Sequence, residues 1–189
     1  SDNTDPGDRL HIQYGFSYAF PAKIMTNWVT DHEWHQETTP LEFRFHVAMA
    51  GNLGIGSDLL QWGKDEITTA KQLIQQYKNI RHIIQLGDSY RIRSPFKGNS
   101  MAIQYVTRDK EESVVFHFQT LETTPMAQKG NDLTDRFILN GLDPEGMYMI
   151  SGDHSKQKVS GSALMNGGLE IPLNGNYSSK VLIIKKIKK

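Results

Sequence analysis

Apolar residues recur at helical spacing in three places within the first 87 residues of the chain. The pattern predicts helices over residues 6–14, from residue 41 to the glycine-rich run 51–56, and over residues 65–86. Asp5 in front of Pro6 is typical of an N-cap followed by the first helical position. Thr39-Pro40-Leu41-Glu42 has the form of a capping box, and Gly87 is the expected end of the third helix.

Two short runs rich in β-forming residues, at 16–20 and 24–29, lie between the first two predicted helices. Strands that alternate with helices are typical of parallel β/α units. Two strands and three helices do not close a domain by themselves. We therefore expect residues 1–87 to be the C-terminal portion of a (β/α)8 TIM barrel, whose earlier units precede this sequence.

After Gly87 the pattern changes to short β-rich runs that are separated by turn residues. Seven strands are predicted, at residues 89–93, 102–107, 113–120, 136–139, 147–151, 168–172 and 180–187. This spacing is typical of an antiparallel sandwich, so residues 88–189 are expected to form a C-terminal β-sandwich domain. Residues 114–118 are apolar on both faces, which predicts a central strand. The lysines of residues 185–189 are expected to protect an edge strand. The chain as a whole is thus predicted to be an α+β two-part fragment.

Composition narrows the classes of function. The chain has 21 Lys+Arg and 21 Asp+Glu, and a net charge of zero argues against nucleic-acid and membrane-surface binding. Residues 1–87 hold 7 basic and 10 acidic residues, against 14 and 11 in residues 88–189, which fits two regions of different character. There is no cysteine, which excludes disulfides and Cys-based zinc sites. No apolar run approaches the roughly 20 residues of a membrane span.

The acidic residues at the start of the chain differ in their structural duties. Asp5 is the expected N-cap, and Asp8 suits the first turn of the same helix. Asp2 has no such duty, so it is a candidate for chemistry. The alternative is that residues 1–5 are only a polar lead-in to the helix, because cap signals are common.

A series of short motifs accompanies this segment. They include Ser1-Asp2-Asn3-Thr4-Asp5, Ile12-Gln13-Tyr14-Gly15, Thr39-Pro40-Leu41-Glu42-Phe43-Arg44, Tyr77-Lys78-Asn79-Ile80-Arg81 and Gln85-Leu86-Gly87-Asp88. Together they resemble the bacterial-type α-galactosidases of glycoside hydrolase family 36, most strongly over residues 1–96. That family has a large N-terminal β domain, a catalytic barrel and a C-terminal β-sandwich. The resemblance implies that this chain is the last third of the barrel followed by the sandwich.

The resemblance also implies an activity. The family's enzymes are retaining glycosidases that remove terminal α-linked galactose from oligosaccharides such as raffinose or melibiose. Their acid/base aspartate lies in a Ser-Asp-x-x-Asp motif, and the match here implies Asp2 as the proton donor and as a substrate-binding residue. Their nucleophile lies in a Trp-Asp-x-Asn-Arg motif on an earlier barrel strand, which this sequence does not contain. No cofactor or metal is implied, because two carboxyl groups suffice for the reaction.

Several functional alternatives stay open at this point. The related α-N-acetylgalactosaminidase specificity depends on pocket residues outside this sequence. A rival from another class is a non-catalytic β-sandwich module, residues 88–189, that binds carbohydrate or a partner subunit. Aromatic residues exposed along one sandwich face would favour this rival, whereas aromatic residues buried against residues 1–87 would favour a structural cap. We expect a homo-oligomeric parent, and a cysteine-free bacterial-type enzyme favours the cytoplasm.

Other motifs carry weaker signals. His32 and His35 flank an acidic and an aromatic residue, but their spacing differs from the i, i+4 pair of a zinc protease, which favours a solvated loop. Trp28 and Trp34 could stack on a sugar ring or pack at the barrel rim. The glycines of residues 51–56 follow a predicted helix instead of leading into one, so we interpret them as a chain turn and not as a phosphate loop.

Overall fold

A computed structural model of the chain describes residues 3–31, 39–120, 135–152 and 155–188. In its first part, three helices alternate with two strands: α1 (Pro6–Phe16), β1 (Thr26–Val29), α2 (Leu41–Met49), β2 (Asn52–Ile55) and α3 (Lys64–Leu86). Strands β1 and β2 are parallel, with Thr26 opposite Asn52 and Val29 opposite Ile55. The three predicted helices are confirmed, and so is a strand within residues 24–29.

Two predictions for this part are wrong. Residues 16–20 are not a strand, because α1 extends to Phe16 and a further turn bonds the Phe20 amide to the Phe16 carbonyl at 3.0 Å. The two phenylalanine rings are helical neighbours with centroids 4.8 Å apart. The glycine-rich run is strand β2 and not a turn, since pairing with β1 holds it extended.

The capping interactions at the helix ends agree with the sequence-based predictions to different degrees. Asp5 caps α1 as predicted, with its Oδ1 accepting from the Asp8 amide at 2.7 Å. Helix α2 begins at Leu41 with Pro40 in the capping position, one residue later than the predicted capping box, and Pro40 makes no side-chain hydrogen bond there. Gly87 ends α3 with φ −82°, and a Cβ at this position would lie 2.4 Å from the Ile83 carbonyl oxygen. Close approach of the backbone is therefore the reason for this glycine.

The second part is built on a six-stranded antiparallel sheet with the order β3-β4-β5-β10-β7-β8. Its strands are β3 (Asp88–Arg93), β4 (Ser100–Val106), β5 (Glu112–Gln119), β7 (Met147–Gly152), β8 (Ser155–Ser160) and β10 (Ser178–Lys186). A second, two-stranded antiparallel sheet pairs β6 (Arg136–Phe137) with β9 (Leu169–Glu170), and a short helix, α4 (Gly161–Asn166), lies between β8 and β9.

All seven predicted strands are present, and the central position of β5 is confirmed. The sequence reasoning missed β8 and α4. The edge-strand interpretation of the terminal lysines is wrong, because β10 pairs with β5 on one side and with β7 on the other. Among the described strands the sheet ends instead at β3 and β8. None of the helices in the described ranges is long and apolar enough to cross a membrane.

Alternating residues of the large sheet enter two apolar cores. One face carries Ile103, Phe116 and Phe118 into a core shared with the three long helices. The opposite face carries Val115 and Ile184 into a second core with the small sheet and α4. The helices of the first part therefore rest directly on the sheet of the second.

Candidate active site

The carboxyl ends of β1 and β2 hold a cluster of bonded polar side chains. Asp31, two residues after β1, accepts from Trp62 Nε1 at 2.6 Å and from Arg44 Nη1 at 2.9 Å. Arg44 also donates to the Thr30 carbonyl at 2.7 Å. After β2, Ser57 donates to the Val29 carbonyl at 3.1 Å. These bonds tie together the segments that leave the two parallel strands.

Asp31 is ionised in this cluster. Burial by itself raises the pKa of a carboxyl group, but the hydrogen bonds from Trp62 and Arg44 and the positive charge of Arg44 outweigh burial here. The pKa of Asp31 is therefore held below its ordinary value. A carboxylate that accepts from two donors in this way is suited to fixing the loops around a pocket, and less suited to exchanging protons during a reaction.

The segment before α1 lies at the same end of the strands. Asn3 Oδ1 accepts from the Asp5 amide at 2.8 Å, and Asn3 Nδ2 donates to Asp8 at 2.9 Å. Thr4 lines a small cavity of about 10 Å³ together with Trp28, Thr30 and Arg44. The residues that directly follow Asp2 are thus placed beside the carboxyl end of β1.

Asp2 itself, the one site residue assigned from the sequence, lies outside the described residues. Its role therefore remains a prediction. His32, Trp34 and His35 also lie outside them. Within the described residues, no group of three or more His, Asp or Glu side chains is arranged to hold a metal ion.

Behind β1 a buried polar network joins the first two helices. Asn27 points inward, accepting from Arg9 of α1 and donating to the Ala48 carbonyl of α2 at 3.4 Å. Gln13 donates to the Val47 carbonyl at 3.2 Å. The network fixes β1 against the helices, so the opposite face of the strand has a defined orientation.

On the opposite face of β1, the described residues leave the Trp28 side chain 49% exposed. Its partner in the register is Gly54. The sequence left sugar stacking and rim packing as alternatives for Trp28, and the exposure of the ring shows that the described residues do not bury it.

The sequence reasoning missed the Asp31 cluster. One available signal was a carboxylate directly after an apolar strand, where barrel enzymes collect functional groups. Its partners could not be deduced, because Trp62 is 31 residues away along the chain.

Three aromatic residues of the large sheet, Tyr105, Phe116 and Phe118, are turned toward the helices, whereas Tyr148 lies in the second core. Phe43 of α2 meets Phe118 edge-to-face with centroids 5.9 Å apart. Tyr105 donates to the Ala50 carbonyl at 2.8 Å, and both Tyr105 and Phe116 are buried. This is the arrangement expected of a sheet that caps the helices.

Comparison with known proteins agrees with these features. Residues 1–87 match the Melibiase family model, and residues 100–184 match the model of the glycosyl hydrolase family 36 C-terminal domain. α-Galactosidase C of Emericella nidulans is 35% identical over 188 residues, which make up 98% of this chain and 24% of that protein.

Solved structures give the same result. The GH36 α-galactosidase AgaB from Geobacillus stearothermophilus superposes with a TM-score of 0.86 at 34% identity, over 99% of this chain and 25% of that one. A variant of AgaA from the same organism, crystallised in complex with raffinose, has a TM-score of 0.86 at 33% identity over the same shares of the two chains. The chain spans about a quarter of the length of these relatives. With one family model matched on each side of residue 88 and whole-chain similarity to family structures, the chain belongs to glycoside hydrolase family 36.

Proposed function

We propose that the protein carrying this chain is a retaining α-galactosidase and that the chain forms its C-terminal part. The observation that carries the proposal is the superposition of 99% of the chain on an α-galactosidase with a TM-score of 0.86. Relatives named as α-galactosidases support the same activity at about 35% identity.

We further propose that residues 1–87 are the last β/α units of the catalytic barrel and that residues 88–189 are the C-terminal β-sandwich. The parallel pairing of β1 and β2 supports the first assignment, since parallel strands that alternate with helices build such barrels. The two-sided antiparallel sheet supports the second assignment. The Melibiase match, which ends at residue 87, supports the boundary.

In this proposal Asp2 is the general acid/base. A retaining glycosidase needs two carboxyl groups roughly 5 to 5.5 Å apart, one to attack the sugar and one to protonate the leaving oxygen. Asp2 gives its proton to the departing oxygen and then takes one from the water that releases the sugar. The nucleophile belongs to an earlier barrel strand. The position of Asn3 and Thr4 beside the carboxyl end of β1 supports this role, because barrel enzymes place their catalytic groups there.

The substrate class we propose is terminal α-linked galactose in oligosaccharides of the raffinose and melibiose type. The complex of the AgaA variant with raffinose supports this class. The choice between galactose and N-acetylgalactosamine rests on pocket residues outside this chain.

The test is hydrolysis of melibiose by the protein at its full length, with Asp2→Asn as the key variant, because a sugar leaving group needs the proton that Asp2 is proposed to give. We expect kcat/KM to fall by at least about 100-fold, a typical contribution of a general acid/base. Asp65→Asn is a matched control, because Asp65 is an exposed residue in the first turn of α3. Full activity of Asp2→Asn would refute the assignment of Asp2, and an inactive unsubstituted protein would refute the function.

The burial of the sheet aromatics counts against the non-catalytic rival. Tyr105, Phe116 and Phe118 are buried in the core shared with the helices and are not available to a sugar. We therefore favour a structural cap over a carbohydrate-binding module for this face of residues 88–189.

A further inference from the structure

Tyr177, in the second part of the chain, has an unusual backbone conformation. Its φ is 50°, in the left-handed region that favours glycine. The residue directly precedes β10, which begins at Ser178. Such a conformation is unfavourable for an aromatic residue and persists only where the surrounding contacts enforce it. The contacts of Tyr177 are therefore the place to look for its role.

The start of β10 is fixed against helix α2 at two points. The Tyr177 ring meets Phe43 of α2 edge-to-face with centroids 5.5 Å apart, and it packs on the core shared by the helices and the large sheet. Two residues further on, Ser179 Oγ lies 2.9 Å from His46 Nδ1 of the same helix. The ring of Tyr177 thus reaches from the second part of the chain into the first.

The same ring lies against the first turn of α1. A Cβ at Gly7 would lie 3.7 Å from Cε1 of Tyr177, an ordinary van der Waals distance, and 3.2 Å from Asp5 Oδ1. Burial raises the pKa of the Tyr177 hydroxyl, and the negative charges of Asp5 and Asp8 add to this shift. A neutral phenol therefore packs beside the residues that begin α1.

This first turn is bonded to the segment that leads to Asp2. Asp5 Oδ1 accepts from the Asp8 amide at 2.7 Å, and Asn3 bonds to both of these residues, at 2.8 and 2.9 Å. A shift of the first turn therefore moves Asn3 with it. Asp2 is joined to Asn3 by a single peptide bond, so the anchor of Asn3 is also the anchor of Asp2.

We propose that Tyr177 is a positioning residue, which holds the first turn of α1 and, through Asn3, the segment that carries the general acid/base Asp2. The inference rests on the proposed function, because it takes Asp2 as the proton donor. The ring is the part that acts, since the ring makes the contacts with Phe43 and Gly7. A misplacement of a catalytic group by about 1 Å is enough to lower the rate severely. The sandwich thereby contributes to catalysis from outside the barrel.

The experiment compares two substrates of the full-length protein. Melibiose has a sugar leaving group, which needs a proton from the general acid, whereas p-nitrophenolate leaves p-nitrophenyl-α-galactoside without one. A misplaced acid therefore lowers kcat/KM for melibiose selectively. A general structural loss lowers kcat/KM for both substrates alike.

Tyr177→Gly is the key variant, because it removes the ring and suits the observed φ. We expect kcat/KM to fall about tenfold for melibiose and no more than about twofold for p-nitrophenyl-α-galactoside. Tyr177→Leu should show the same selective loss and serves if the Gly variant does not fold, since leucine ends before the atom that reaches Gly7. Tyr177→Phe keeps the ring and should retain the ratio of the two values.

Lys110→Gly is the matched control. Lys110 is also a non-glycine residue with positive φ, 61°, and it is exposed in the turn between β4 and β5. Its replacement makes the same backbone change away from α1 and should leave the ratio unchanged.

An equal fall for both substrates, or an unchanged ratio, in the Tyr177→Gly and Tyr177→Leu variants would show that Tyr177 is only a packing residue and would overturn the proposal. Asp2→Asn, measured alongside, keeps this result apart from a failure of the proposed function. If Asp2→Asn does not lose melibiose hydrolysis selectively, Asp2 is not the general acid, and the inference about Tyr177 falls with that assignment.

Discussion

The pH dependence of stability at His117 tests how burial of a titratable side chain affects the free energy of unfolding. The residue lies on central strand β5 and is fully buried. Its Nδ1 is 2.8 Å from the Ile171 carbonyl oxygen and its Nε2 is 2.9 Å from Ser100 Oγ. A carbonyl can only accept, so Nδ1 carries the proton and Nε2 accepts from the serine hydroxyl. The ring is therefore bound in its neutral form.

Burial lowers the pKa of His117 from 6.5 to about 4, the bond to the Ile171 carbonyl opposes this shift, and the charge of Arg93 adds to it. Between these two values the unfolded chain binds a proton that the folded chain does not bind. The contribution of His117 to stability is thus fully present above pH 6.5 and is lost as the pH falls toward 4. Each pH unit in this window costs about 1.4 kcal/mol, so the loss at pH 5 is about 2 kcal/mol.

The assay is urea unfolding of the chain at pH 7.5 and at pH 5, with His117→Gln as the variant. A glutamine amide can also donate to Ile171 and accept from Ser100, but it does not titrate. The free energy of unfolding should therefore fall by about 2 kcal/mol less in the variant than in the unsubstituted chain. If the free energy of unfolding falls equally in both proteins between pH 7.5 and pH 5, the reasoning is refuted.

Three further predictions concern backbone packing, the polar cluster and activity. Gly87→Ala should destabilise the chain by about 2 kcal/mol or more in urea unfolding, because its Cβ would meet two carbonyl oxygens at 2.4 and 2.5 Å. Gly15 lies inside a helix with open space around it, so Gly15→Ala should raise the free energy of unfolding by about 0.5–1 kcal/mol. Asp31→Asn should cost about 2 kcal/mol at pH 7, and a variant as stable as the unsubstituted chain would contradict the cluster's role. The chain by itself should not hydrolyse p-nitrophenyl-α-galactoside; turnover that disappears in Asp2→Asn would overturn this expectation.

Long periodic patterns made the helices predictable. Helix α3 has 23 residues, and its buried positions Ala70, Tyr77 and Ile84 recur at a spacing of seven. Strand β5 was equally clear, because an apolar run on both faces fits only a central strand. In these elements the local pattern and the tertiary environment agree.

The missed elements lack such a pattern. Strand β8 has the sequence Ser-Lys-Gln-Lys-Val-Ser with a single apolar residue, and its pairing with β7 is what holds it extended. Helix α4 has six residues, too few for a period to be recognised. Strand β2 contains Gly54, which argues against a strand on propensity but provides the space for Trp28.

The role of Asp2 stays a prediction, drawn from its lack of a capping duty and from the family resemblance. The sequence singled out Asp2 because it lacks a capping duty, whereas Asp31 is bonded by residues 13 and 31 positions away. Contacts over such separations are fixed by the fold and leave no local trace in the sequence.

The layer between the two halves of the chain has a consequence for how the protein evolves. In this layer Phe43 packs against Phe118, and the Tyr105 hydroxyl bonds to the Ala50 carbonyl. Side chains from both halves pack together there, so a substitution in one half favours a compensating substitution in the other. A recombination joint at residue 87 would bring together surfaces that were never fitted to each other. We therefore expect the two halves to have been exchanged among related enzymes as one cassette.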